Sequence, residues 1–260
     1  MLADFAFQDP AIVESSGLVV RDGLFVTVND SGDSGRIFTV DSTGATVGVT
    51  SWSPTPTDDE ALAPAGPGEV WVGDIGDNTA SRASITVVRV PFGPGDRTVT
   101  PPSYSLVYPD GAHDAETLLA APDGRLLVVS KELFGGAVYE APAHLSESEP
   151  NELRRVGGAI GFATDGSFFP DGRHYVLRDY GSAAVYSYPG FHRLASFDLP
   201  AQRQGEGIAV DPDGWVHVSS EGEHTQVLRV ASVSVWGWLT SAAGFVARAV
   251  GLLLGHGAAS

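Results

Sequence analysis

Glu60, Glu116, Asp165 and Glu206 each stand just before a short run of small and apolar residues, and Ser16 holds the same place in an earlier segment. A second apolar run follows in every segment. It ends beside Asp30, Asp74, Lys131, Asp179 or Glu221. Carboxylates gathered in one place cannot all stay ionised without a counter-charge. A hard cation held by oxygen ligands resolves this, and Ca²⁺ suits an irregular multi-oxygen shell. The expected ligands are Asp30, Glu60, Asp74, Glu116, Asp165, Glu206 and Glu221. No stretch has the spacing of an EF-hand loop, so such a site must be assembled from remote segments. The competing reading is that these acids cap loops, stay hydrated or pair with Lys131, Arg36, Arg82 and Arg178.

Glu116 and Glu206 also have the chemistry of an acid–base pair. His113, next to Asp114, is a candidate general base, and Lys131 is counted with them as a candidate catalytic residue. A solvated surface histidine is the plainer description of His113. Glu60, Glu116 and Glu206 could also form an acid–base pair for glycoside cleavage, but the loop aromatics Trp52 and Tyr180 are too few to favour sugar. Gly32-Asp33-Ser34-Gly35 has the letters of a serine-protease nucleophile loop without the fold that loop needs.

What must position these residues is a fivefold repeat. Gly turns at Gly23, Gly68, Gly124, Gly172 and Gly214 each separate two apolar runs, at spacings of 45, 56, 48 and 42 residues. Repeats of that length built from short strands indicate a β-propeller with one four-stranded blade per repeat. The first strands are expected at 17–20, 61–63, 117–120, 166–169 and 207–210. The second are expected at 24–28, 69–72, 125–129, 173–177 and 215–218. The strand before the turn leaves one face and the strand after it returns, so both polar sets converge there. The fifth repeat lacks a fourth strand. The apolar segment 2–7 is expected to supply it, closing the ring by pairing the two ends.

The chain has 260 residues, no cysteine and a formal charge of −17, with Lys131 its single lysine. Such a charge repels phosphate backbones, so nucleic acid is excluded as an expected partner. The amino terminus shows no basic region followed by an apolar core, the pattern of a secretory signal. Residues 233–260 form an apolar tail, expected as a short helix. It is a candidate either for membrane association or for docking on the domain or a partner. The expected division is a propeller over 1–232 and the tail over 233–260.

The phrases Glu60-Ala61-Leu62-Ala63 with Val70-Trp71-Val72-Gly73-Asp74, and Gln204-Gly205-Glu206-Gly207-Ile208-Ala209-Val210-Asp211 with Val216-His217-Val218-Ser219-Ser220-Glu221, resemble the SdiA-regulated family. Ser15-Ser16-Gly17-Leu18 with Leu24-Phe25-Val26-Thr27-Val28-Asn29 does so too. The resemblance implies a five-bladed propeller with a calcium site and no settled activity; taken with the apolar tail, it implies a place at the cell envelope or outside the cell. The chain departs from it in the Asp-rich loop 73–82 and in the tail. The acid that opens each blade also resembles the esterase-like phytase propellers, which implies calcium-assisted attack on a phosphate ester. The leading expectation is a calcium-binding propeller acting as a binding or scaffold module, with a small molecule or protein as ligand at its central face. The alternative is a metal-dependent phosphoester or ester hydrolase.

Overall fold

The computed structural model describes residues 2–30 and 32–232; the tail expected as a helix lies outside the described residues. Strand β1 (Leu2–Ala6) opens the chain. The first blade then runs outward from the axis through β2 (Ser15–Arg21), β3 (Leu24–Asn29), β4 (Arg36–Val40) and β5 (Thr46–Ser51). The second uses β6 (Asp59–Gly66), β7 (Glu69–Asp74) and β8 (Ile85–Pro91). From its next loop β9 (Arg97–Thr98) reaches back to pair in parallel with β5, before β10 (Ser103–Val107) completes the blade. The third has β11 (Ala115–Ala120), β12 (Leu126–Ser130) and β13 (Ala137–Glu140). Here β14 (Asn151–Glu152) pairs back onto β10, and β15 (Arg154–Gly158) ends the blade. The fourth is β16 (Asp165–Phe168), β17 (His174–Arg178), β18 (Ser182–Ser187) and β19 (Arg193–Asp198). The fifth is β20 (Gly205–Val210), β21 (Trp215–Ser220) and β22 (Gln226–Ser232), with β1 along the edge of β22 from Leu2 opposite Arg229 to Ala6 opposite Gln226. This is an all-β five-bladed propeller, with no helix among the described residues.

Inner and outer strands read differently for a physical reason. β12, Leu-Leu-Val-Val-Ser, is buried at every position because neighbouring blades cover both of its faces. β5 alternates between buried and half-buried residues, and β19 keeps no fully buried residue. Five buried apolar clusters fill the five gaps between blades. One joins the last blade to the first, with Phe5, Phe7, Ala209 and Val227 against Leu18, Phe25, Phe38 and Val40. His217 of β21 is held between Asp4 at 2.7 Å and Asp211 at 3.1 Å, which ties β1 to the same blade.

Near the axis the first strands crowd one another. A Cβ on Gly17 would lie 2.6 Å from the Leu62 backbone nitrogen, and one on Gly207 would lie 2.9 Å from Leu18 Cβ. The first strands also start earlier than the sequence suggests. Ser16, Glu60, Glu116, Asp165 and Glu206 lie inside β2, β6, β11, β16 and β20, where the sequence reading has them preceding the strands. Of the five, Asp165 alone has a direct partner in the second strand, Arg178; the other four fall between paired positions.

Candidate functional site

The acids of the repeat sit on β-bulges. In the pairing of first with second strand, the register slips between Ser15 and Leu18, Asp59 and Ala61, Ala115 and Thr117, and Gly205 and Ile208. Each slip spans the blade's polar residue: Ser16, Glu60, Glu116 or Glu206. A bulge turns one side chain out of the regular alternation, here toward the end of the axis where the first strands begin. The fourth blade pairs without a slip. Its Asp165 is fully buried: Oδ2 accepts the backbone N–H groups of Leu18 at 3.2 Å and Ile208 at 2.8 Å, while Oδ1 accepts that of Gly166 at 2.7 Å. The carboxyl expected as a metal ligand therefore ties three blades together beneath the face.

At the face, Asp30, Asp58 and Glu60 each offer a carboxylate oxygen, all within 4.8 Å of one another. Asp30 follows β3, Asp58 precedes β6 and Glu60 lies on the β6 bulge, so the trio spans the first two blades. Glu60 is buried and accepts a 3.0 Å hydrogen bond from the Ser16 hydroxyl. Burial pushes its carboxyl far above the ordinary range, and the neighbouring charges of Glu116, Asp30 and Asp58 push in the same direction. Asp58 is only 9% exposed, and its Oδ1 has no hydrogen-bond partner. Burial and the charges of Asp30 and Asp114 raise its pKa to about 6.

The loop after β7 holds Asp58 in place. Asp74 Oδ1 accepts the Asp58 backbone N–H at 2.9 Å and the Arg82 guanidinium at 2.8 Å. A Cβ on Gly76 would lie 2.3 Å from Asp58 Oδ2, so only glycine leaves the carboxylate its seat. Asp74, expected as a ligand, thus positions the backbone of one. Asp58 is not among the ligands expected from the sequence.

The rest of the face belongs to blades three, four and five. Lys131, just after β12, bonds directly to Glu116 Oε1, and its ammonium lies 5.3 Å from the centre of the Tyr180 ring. Burial pushes the Glu116 carboxyl upward, whereas the Glu116 charge holds Lys131 above its ordinary range. The direct contact decides for an ion pair at neutral pH, because a bonded ammonium offsets the loss of hydration. Glu206 has no such partner on Oε2 and is 4% exposed. Burial raises its pKa to about 7, against the pull of Lys131 and Arg178 and with the repulsion of Glu221. Glu221 accepts a hydrogen bond from Gln204 at 2.8 Å, and burial pushes its carboxyl up.

His113 stands apart from this group. It contacts Asp110 at 3.1 Å, the Tyr139 hydroxyl at 2.9 Å and Glu132 at 3.4 Å. Arg178 is fully buried and donates to Gln202 Oε1 and the carbonyls of Asp179, Gly207 and Ser219. A cavity of about 670 Å³ opens at the opposite end of the axis, where the first strands finish. Ala63, Leu118, Pro122, Phe169 and Val210 are among the residues lining it, and none of the face carboxylates reaches it.

No family model matches the chain, and no curated protein matches it. Solved structures do. A glutaminyl cyclase from Myxococcus xanthus is similar over 88% of this chain and 97% of that one, at 11% identity and a TM-score of 0.55. A gluconolactonase from Xanthomonas campestris is similar over 84% of this chain and 71% of that one, at 15% identity and a TM-score of 0.49. At such identities the likeness concerns the propeller fold alone.

Proposed function

We propose that the central face binds one divalent cation, calcium by the hardness of its ligands, through Asp30, Asp58 and Glu60, and that the loaded face binds a small anionic ligand. The observation that carries this is the Asp58 carboxylate, buried beside two other acids with one oxygen unpartnered. An orphaned buried carboxylate oxygen costs free energy unless a proton or a cation meets it. Three carboxylates on well-built strand ends suit a hard cation and leave positions for water or a ligand oxygen. The face gathers residues from all five blades, so it depends on a closed ring, and we take the β1–β22 pairing as the clasp. The reading places the protein at the cell envelope or outside the cell, where modules of modest calcium affinity work at about 10⁻⁴–10⁻³ M.

Thermal melting in calcium against chelator tests it. Calcium is expected to raise the melting temperature of the native chain and to leave Glu60→Gln and Asp58→Asn unmoved. An equal rise in both variants would contradict the assignment.

A second reading, metal-dependent ester or phosphoester hydrolysis, is favoured by Glu206. Its unpartnered oxygen and pKa of about 7 suit a general acid or base near neutral pH. A bound cation would polarise the ester oxygen. Glu206 would move the proton, and Lys131, held by Glu116, would steady the anionic group. A panel of carboxylate esters, phosphomonoesters and phosphodiesters with calcium separates the readings. Turnover lost in Glu206→Gln, with the calcium melting shift kept, supports hydrolysis; a flat panel leaves binding.

A further inference from the structure

Three loops of blades three and four end beside the acidic face and carry bare apolar side chains. The β12–β13 loop bears Leu133, 59% exposed, and Phe134, 96% exposed. The segment before β16 bears Phe162, and the β17–β18 turn bears Tyr180, both partly exposed. The loops touch. Phe162 N donates to Glu132 O at 3.0 Å, a Cβ on Gly161 would lie 2.7 Å from Leu133 O, and the Phe162 and Tyr180 rings are 6.5 Å apart. Among the described residues the only other exposed large apolar side chain is Leu194, on the outer strand β19.

Scattered exposed apolar residues need no explanation, but four on touching loops at the edge of a charged opening do. This group is continuous with the charged centre through Lys131, which bonds Glu116 on one side and lies over the Tyr180 ring on the other. Phe and Leu offer no hydrogen bonds, which suits a hydrocarbon or aromatic body better than a sugar. Phe162 has φ of 52°, a left-handed conformation costly for a bulky residue, and its ring stays partly in solvent.

We propose that the ligand of the central face carries an aromatic or acyl body, and that Leu133, Phe134, Phe162 and Tyr180 form the one-sided apolar rim that receives it while the charged head meets Lys131 and the cation. This rests on the cation reading above and goes beyond it by naming the ligand class. The geometry is that of an amphiphilic carboxylate or ester laid across the face with its head at the axis.

Calorimetric titration of the calcium-loaded native chain with acetate, benzoate, 1-naphthoate and decanoate tests the proposal. 1-Naphthoate and decanoate are expected to bind at least about tenfold more tightly than acetate, the gain of burying a ring or chain. Phe134→Ser combined with Phe162→Asn is expected to bring them back to the acetate level. Phe134 is almost wholly in solvent, and asparagine tolerates the left-handed backbone at 162, so the variant keeps its fold. Its unchanged calcium melting shift checks this. Equal affinities across the series, or a preference that survives in the variant, would overturn the rim. So would self-association of the native chain abolished by Phe134→Ser, which would assign the patch to a second copy. A calcium shift without any preference removes the rim and leaves the cation site. Loss of both removes the reading on which it rests.

Discussion

Glu206 shows how far one carboxyl can depart from its ordinary behaviour when its surroundings are dry. Its folded-state pKa is raised from 4.5 to about 7, so the folded protein binds its proton more tightly than the unfolded chain does. The stability this contributes is fully present below about pH 4.5 and is lost as pH rises through about 7. In chelator, the native chain is therefore expected to lose more melting temperature between those values than Glu206→Gln, and equal slopes would refute the assignment. Gly76 makes a second residue-level case. Gly76→Ala must displace Asp58 Oδ2, and calcium affinity is expected to fall at least about tenfold in a titration. The sequence points to Glu60, Glu116 and Glu206 because the repeat marks them. It does not point to Asp58, whose nearness to Asp30 depends on the strand register between Asp59 and Ala61.

The bulge is the element that builds the face. Four blades carry it at the polar position, and the one regular blade sends its acid into the axis instead. Sequence periodicity places a residue at the start of a strand but does not show a slipped register, so Asp165 reads like its equivalents while doing something else. The small residues Ala61, Gly166 and Gly207 after Glu60, Asp165 and Glu206 are legible and have a plain cause: first strands meet at van der Waals distance near the axis. Gly17→Ala sets a methyl against the Leu62 backbone, which cannot give way as a flexible side chain would. The expected loss is about 1–3 kcal/mol by urea denaturation, the usual cost of overpacking. An unchanged midpoint would mean that the blades are less tightly packed than described.

At the scale of the whole molecule, the repeat count and the order of strands within blades follow from the turn glycines and the apolar runs. The stitches made by β9 and β14 do not, because each is two residues long and pairs with a neighbouring blade. The site depends on the ring as a unit. Removing residues 2–7 would uncover the edge of β22, take Phe5 and Phe7 from the cluster between the last and first blades, and leave His217 without Asp4. That truncation is expected to lower the melting temperature by several degrees and to weaken calcium binding with it. Unaltered melting would show that the ring holds without the clasp.

The most direct measurement is anomalous diffraction from crystals of the full chain soaked in a terbium salt, an oxygen-seeking stand-in for calcium. The account predicts one strong peak within about 2.3–2.6 Å of carboxylate oxygens from Asp30, Asp58 and Glu60. An empty face, or a peak held by other residues while these three stay unliganded, would contradict it.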